Sequence, residues 1–138
     1  ILHQSKILKY YIEQGKNNKK TQKDLDKILK KFDKNRKYFY SAKDLALVDS
    51  LIKDGFKIPN YFNYDELASK YDVPSNLLQL IQKKQEAFVT LKIVEIIGED
   101  EPNQLDPETI YFITNLLNEM NLIKIRNKVL ISALPLRV

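Results

Sequence analysis

Cations and side-chain amides are the groups whose spacing in this chain could do chemistry. The chemistry open to them is contact with phosphates and base edges. Lys23, Lys27, Lys30, Lys31 and Lys34 fall on one face of a stretch whose other face carries Leu25, Ile28, Leu29 and Phe32. A lysine face of this kind fits an acidic partner, and it is also what a plain solvated helix face looks like. Ser75, Asn76, Gln79, Lys83 and Lys84 lie at and just beyond the end of Asp65–Asn76, a segment patterned like a helix-turn-helix. Glu108, Thr114, Asn115, Asn118 and Glu119 occupy the outward positions of a helix expected over 107–121, where asparagine can read adenine. Lys124, Arg126 and Lys128 surround a turn expected at Arg126-Asn127. The candidate nucleic-acid contacts are therefore Lys27, Lys30, Lys31, Lys83, Lys84, Lys124, Arg126 and Lys128.

Catalysis finds little to work with. His3 is the only histidine and lies in a stretch expected to fray. The chain has no cysteine, no glycine-rich phosphate loop and no His/carboxylate spacing for a metal. Glu99-Asp100-Glu101 with Asp106 could attract a cation, but the ligand spacing of a calcium loop is missing, so a solvated acidic loop is expected. The eight Tyr and six Phe are not interleaved with arginine, which makes them core and loop anchors rather than a base-stacking platform. The expectation is a protein that is not an enzyme, with no cofactor, metal or small-molecule substrate.

The elements that must position these groups are mostly helical. A chain of 138 residues with only three glycines, rich in Leu, Ile and Lys, favours helices around one core. Helices are expected over 2–15 and from a Thr21 cap to about 37. A third runs from a Ser41/Asp44 capping box to Gly55, burying Leu45, Val48, Leu51 and Ile52. A short one follows from Asn63 to Tyr71, and a long one over 76–97. The last starts at Asp106-Pro107 and stops at Asn121, a residue that tolerates the left-handed turn. Leu122–Arg126 and Lys128–Leu134 then read as the two strands of a hairpin. No apolar run approaches the roughly 20 residues of a membrane span, and no signal peptide is visible. The expected organisation is one domain, 1–138, with a basic helical extension (1–40) and a core (41–138), intracellular and part of a larger protein.

Helix, tight turn and hairpin form the ending of a winged helix-turn-helix domain, so the expected fold is mainly α, winged-helix-like, with an N-terminal helical extension and a C-terminal β-hairpin. Charge complicates the usual function. The net +5 divides into +8 over residues 1–40 and −3 over 41–138, with −7 between Tyr61 and Asn121. No Lys or Arg occurs in 107–121, where a DNA-reading helix would carry cations. The hairpin, in contrast, shows apolar residues on both faces, so its second face is covered by the chain itself or by a second molecule. The expected contact surface for self-association is Tyr111, Leu122, Ile123, Ile125, Val129, Leu130 and Ile131.

A winged helix without a basic reading helix, on a Lys/Asn-rich chain ending in Leu134-Pro135-Leu136-Arg137-Val138, resembles the C-terminal variant winged-helix domains of budding-yeast silent-information-regulator heterochromatin proteins. That resemblance implies a nuclear, non-enzymatic, homodimerising domain of a chromatin-associated gene-silencing protein, with other chromatin proteins as further partners. The other expectation is a DNA-binding winged helix of a transcription or replication factor.

Overall fold

Ser41 begins the helix against which the rest of the fold is laid. In the computed structural model, which describes Leu2 and residues 5–13, 18–35, 40–71, 79, 82–83 and 106–134, the Ser41 hydroxyl accepts the Asp44 N–H at 3.3 Å. The Asp44 carboxylate accepts the Ser41 N–H at 2.9 Å. This is the expected capping box, with aspartate at the third position. The helix, here α3 (Ala42–Lys53), ends where Gly55 takes φ +95°. Gly55 N–H then bonds to Ile52 O, and Phe56 N–H reaches back to Leu51 O, both at 3.0 Å, which closes a Schellman stop. Leu45, Ala46, Leu47, Val48 and Leu51 are all fully buried. Ile52, expected inside, is 41% exposed, whereas Leu47 is fully buried.

Pro107–Glu119 forms a helix, α5, as the sequence predicts. Asp106 caps it, its carboxylate accepting the Thr109 N–H at 2.7 Å, and Pro107 sits in the first turn, where its missing N–H costs nothing. Those hydrogen bonds hold the Asp106 pKa below the usual carboxylate range. Asn121, at φ 58°, is the C-terminal stop. Leu122 N–H bonds to Leu117 O at 2.9 Å and Asn121 N–H to Asn118 O at 3.1 Å, a second Schellman pattern. α5 lies along α3 in the most extensive helix contact of the described fold. Ile110, Tyr111, Ile113, Thr114, Leu116, Leu117 and Asn118 are all buried, so α5 is a central helix rather than a projecting one.

The hairpin expectation is corrected here. Residues Ile123–Ala133 form a helix, α6, and no strand occurs among the described residues. Its inward positions are Arg126, Val129, Leu130 and Ala133, spaced i, i+3, i+4, i+7. The run alternates like a strand only if Arg126 is counted as a surface residue, and Arg126 is 0% exposed. Packing of that stripe on α5 and on α1 (Leu8–Ile12) outweighs the weak helix preference of Ile123, Ile125, Val129 and Ile131.

Three further helices complete the described fold. α1 is shorter than expected and buries Leu8 and Tyr11. α2 (Asn18–Lys34) starts one turn before Thr21 and directs Leu25 and Leu29, both 0% exposed, into the core. The Gln22 amide fastens it to the loop after α3, donating to Lys57 O and accepting Lys57 N–H, each at 3.0 Å. α4 (Tyr64–Ala68) is capped by Asn63, whose side-chain oxygen accepts Glu66 N–H at 3.1 Å. Edge-on rings (Tyr10–Phe56, Tyr40–Phe62, Phe32–Tyr40) close the periphery. Of the long helix expected over 76–97 only residues 79, 82 and 83 are described, and the acidic loop at 98–104 and the second half of the helix-turn-helix-like segment fall outside the described residues.

Candidate functional site

Arg126 organises the polar interior. All five of its N–H groups have partners. Nη1 and Nη2 donate to the two carboxylate oxygens of Asp54 at 2.9 and 2.8 Å, a bidentate pair in which the arginine side chain is fully buried and that of Asp54 is 12% exposed. Nη1 also donates to Asn118 Oδ1 at 3.0 Å, and Nε and Nη2 donate to Asn127 Oδ1 at 3.0 and 2.6 Å. The guanidinium lies over the Tyr11 ring, 5.3 Å from its centroid, and reaches Ser50 O at 3.5 Å. It thus places a cation at the C-terminal end of α3, where the helix dipole favours one.

The chain of hydrogen bonds continues past Asn118. Its amide nitrogen donates to Asp49 at 2.8 Å, and the Asn115 amide donates to the same oxygen at 3.3 Å. The Tyr64 hydroxyl donates to the other Asp49 oxygen at 3.0 Å. Its own oxygen is 2.8 Å from the Tyr111 hydroxyl, which must then be the donor in that pair. Burial, followed by the negative charge of Asp49, pushes the Tyr64 hydroxyl far above its ordinary pKa, and burial raises Tyr111 as well. The Tyr11 hydroxyl is buried without a hydrogen-bond partner among the described residues; burial, with Asp54 adding to it, holds its pKa well above 10.0.

This network decides the fate of several expected site residues. Arg126, a candidate nucleic-acid contact, is a buried structural cation and cannot reach a phosphate. Asn115 and Asn118, the candidate base readers, are committed to Asp49. Tyr111, Val129 and Leu130, expected at a partner interface, are no more than 5% exposed and belong to this chain's own core. The apolar character on both sides of 122–134 therefore reflects helical burial, not a hairpin awaiting a cover. Leu122 and Ile123 are half-buried, and Ile125 and Ile131 are each 41% exposed.

Two surfaces remain. One is the outer side of α6, where Lys124 and Lys128 are exposed beside the two isoleucines. A groove of about 440 Å³ runs there, walled by Tyr11, Lys124, Asn127, Lys128 and Ile131. Ile12, on the α1 helix packed against α6, is 47% exposed. The other is the outer side of α2, which exposes Lys27, Lys30 and Lys31 with their neighbours. Lys83 is exposed, one helical turn beyond Gln79, and Lys84 lies outside the described residues. Among the described residues no group of three or more His, Cys, Asp or Glu could hold a metal ion, and no helix is long and apolar enough to cross a membrane. Compared with known family models, curated proteins and solved structures, the chain gives no match.

Proposed function

We propose that this chain is a non-catalytic protein-interaction domain that associates with a second copy of itself through the outer side of α6. The observation that carries the reading is the exposure of Ile125 and Ile131, 41% each, beside half-buried Leu122 and Ile123. Large apolar side chains clustered on one terminal helix are what a modest protein interface is built from. Lys124 and Lys128 stand between the two isoleucines, where their stems can cover apolar surface while their ammonium groups stay in water. Placement within a larger nuclear, chromatin-associated silencing protein rests on the sequence resemblance alone, and that resemblance has lost its hairpin.

Sedimentation velocity at micromolar to submillimolar concentration tests the proposal. A concentration-dependent dimer that Ile125→Asp or Ile131→Asp converts to monomer supports it. A strict monomer across the range overturns it. The reading as a DNA-binding winged helix of a transcription or replication factor requires a surface other than α5, which is central, acidic and engaged with Asp49. The wing it would also use is a helix with its arginine inside. Any nucleic-acid contact must therefore come from elsewhere on the molecule.

A further inference from the structure

α2 carries seven lysines between Lys19 and Lys34, and every one is exposed. At 3.6 residues per turn they fall within an arc of about 120°, opposite the Leu25/Leu29 core face. From Lys20 to Lys34 the ridge is about 21 Å long. Among the described residues none of these lysines is ion-paired. Seven Lys–Lys spacings of three or four residues occur along it, and each one destabilises an isolated helix. Five opposite-charge spacings of three or four residues (Lys20–Asp24, Lys23–Asp26, Asp24–Lys27, Asp26–Lys30 and Lys30–Asp33) offset part of that cost, and seven lysines against three aspartates leave α2 a surplus of four cations. Asp24, Asp26 and Asp33 stand at its margins, and Asp26 accepts a hydrogen bond from Gln22 at 2.9 Å.

We infer that the α2 ridge is a docking surface for duplex nucleic acid, bound through its phosphates without sequence preference. The occupant follows from what the ridge contains and lacks. A protein partner would need apolar anchors, and α2 has no exposed large hydrophobic residue. A membrane surface would need the apolar face of the helix free, yet Leu25 and Leu29 are fully buried in the core. Single strands would need stacking aromatics interleaved with the cations, and Phe32, the one aromatic of α2, lies on the core side. Base reading would need arginine, asparagine or glutamine on the ridge. Lysine supplies point charges, suited to phosphate and poor at discrimination. This inference stands apart from self-association through α6.

The test is fluorescence anisotropy of a labelled duplex of arbitrary sequence with the 138-residue chain. With about four phosphate contacts the affinity falls roughly 150-fold between about 50 and 200 mM salt. Lys27→Glu/Lys34→Glu turns five of the seven like-charge spacings into opposite-charge ones and one opposite-charge spacing, Asp24–Lys27, into a like-charge one, so on balance the helix is not destabilised. The expected result is an affinity loss of about tenfold or more and a shallower salt slope by about two contacts. Lys124→Glu/Lys128→Glu, on α6 and not on the ridge, leaves binding within about twofold on the same reasoning. Unchanged binding in the ridge variant, or loss in the α6 variant alone, overturns the inference. Equal or tighter binding to single strands, to phosphatidylserine vesicles or to polyglutamate overturns the choice of occupant, and weaker binding to all three supports it.

Discussion

Replacing Arg126 by methionine removes five short hydrogen bonds and one buried charge while keeping much of the side-chain volume. The Asp54 carboxylate, 12% exposed, is left without its counter-ion, and Asn118 Oδ1 loses its donor. Stranding one member of a buried pair costs about 3–5 kcal/mol, and the partial exposure of Asp54 to water places this case near the lower figure. Against a domain stability of about 5–15 kcal/mol, that is a fifth or more of the whole. The second half of the experiment separates charge from packing. Arg126→Met/Asp54→Asn has no uncompensated charge and recovers about 1–3 kcal/mol of the loss, since a neutral replacement of a buried pair is often tolerated. Urea titration followed by far-ultraviolet circular dichroism reads both quantities, with an unchanged denaturant slope expected. A loss under about 1 kcal/mol for Arg126→Met, additive with Asp54→Asn, would falsify the docking of α6 through this pair.

Helix and hairpin make opposite demands on Lys128. As an exposed residue inside α6, Lys128→Pro should cost about 3 kcal/mol or more, measured as a fall in the urea midpoint, whereas a residue next to a hairpin turn would tolerate it. Asn121, held at φ 58°, predicts that Asn121→Ala lowers stability by about 1–2 kcal/mol and Asn121→Gly does not. A drop of equal size in both would contradict the left-handed stop. The raised hydroxyls of Tyr11, Tyr64 and Tyr111 set the alkaline limit. Because their folded pKa values lie above the ordinary 10.0, the stability they contribute is whole below pH 10.0 and is lost as pH rises further. Tyrosinate absorbance from these rings should appear together with loss of helicity, and ionisation of all three in an intact fold would refute the burial described.

What the sequence disclosed was local. The Ser41/Asp44 box, the Asn63 cap, the Asp106-Pro107 start and the stops at Gly55 and Asn121 each act within a few residues, and each is found as read. α6 was hidden because its stripe at 122, 126, 129–130 and 133 includes an arginine. With a hydrophobic residue at 126 the helical period would have been plain. The partner that lets Arg126 go inside, Asp54, is 72 residues away, so no local pattern could announce it. Asn115 and Asn118 look outward in the sequence for a related reason. Apolar residues at 110–113, 116, 117 and 120 already ring most of α5, a sign of a central helix whose polar side chains must find partners indoors.

The separation between Asp54 and Arg126 also has a meaning in time. At roughly 5–20 residues per second, a ribosome adds the intervening 72 residues in about 4–15 s. During that interval Asp54 stands without its counter-ion, although α5, the helix laid along α3, is made before α6. Synthesis of α6 then supplies the cation that joins Asp54 to Asn118 and closes this polar interior.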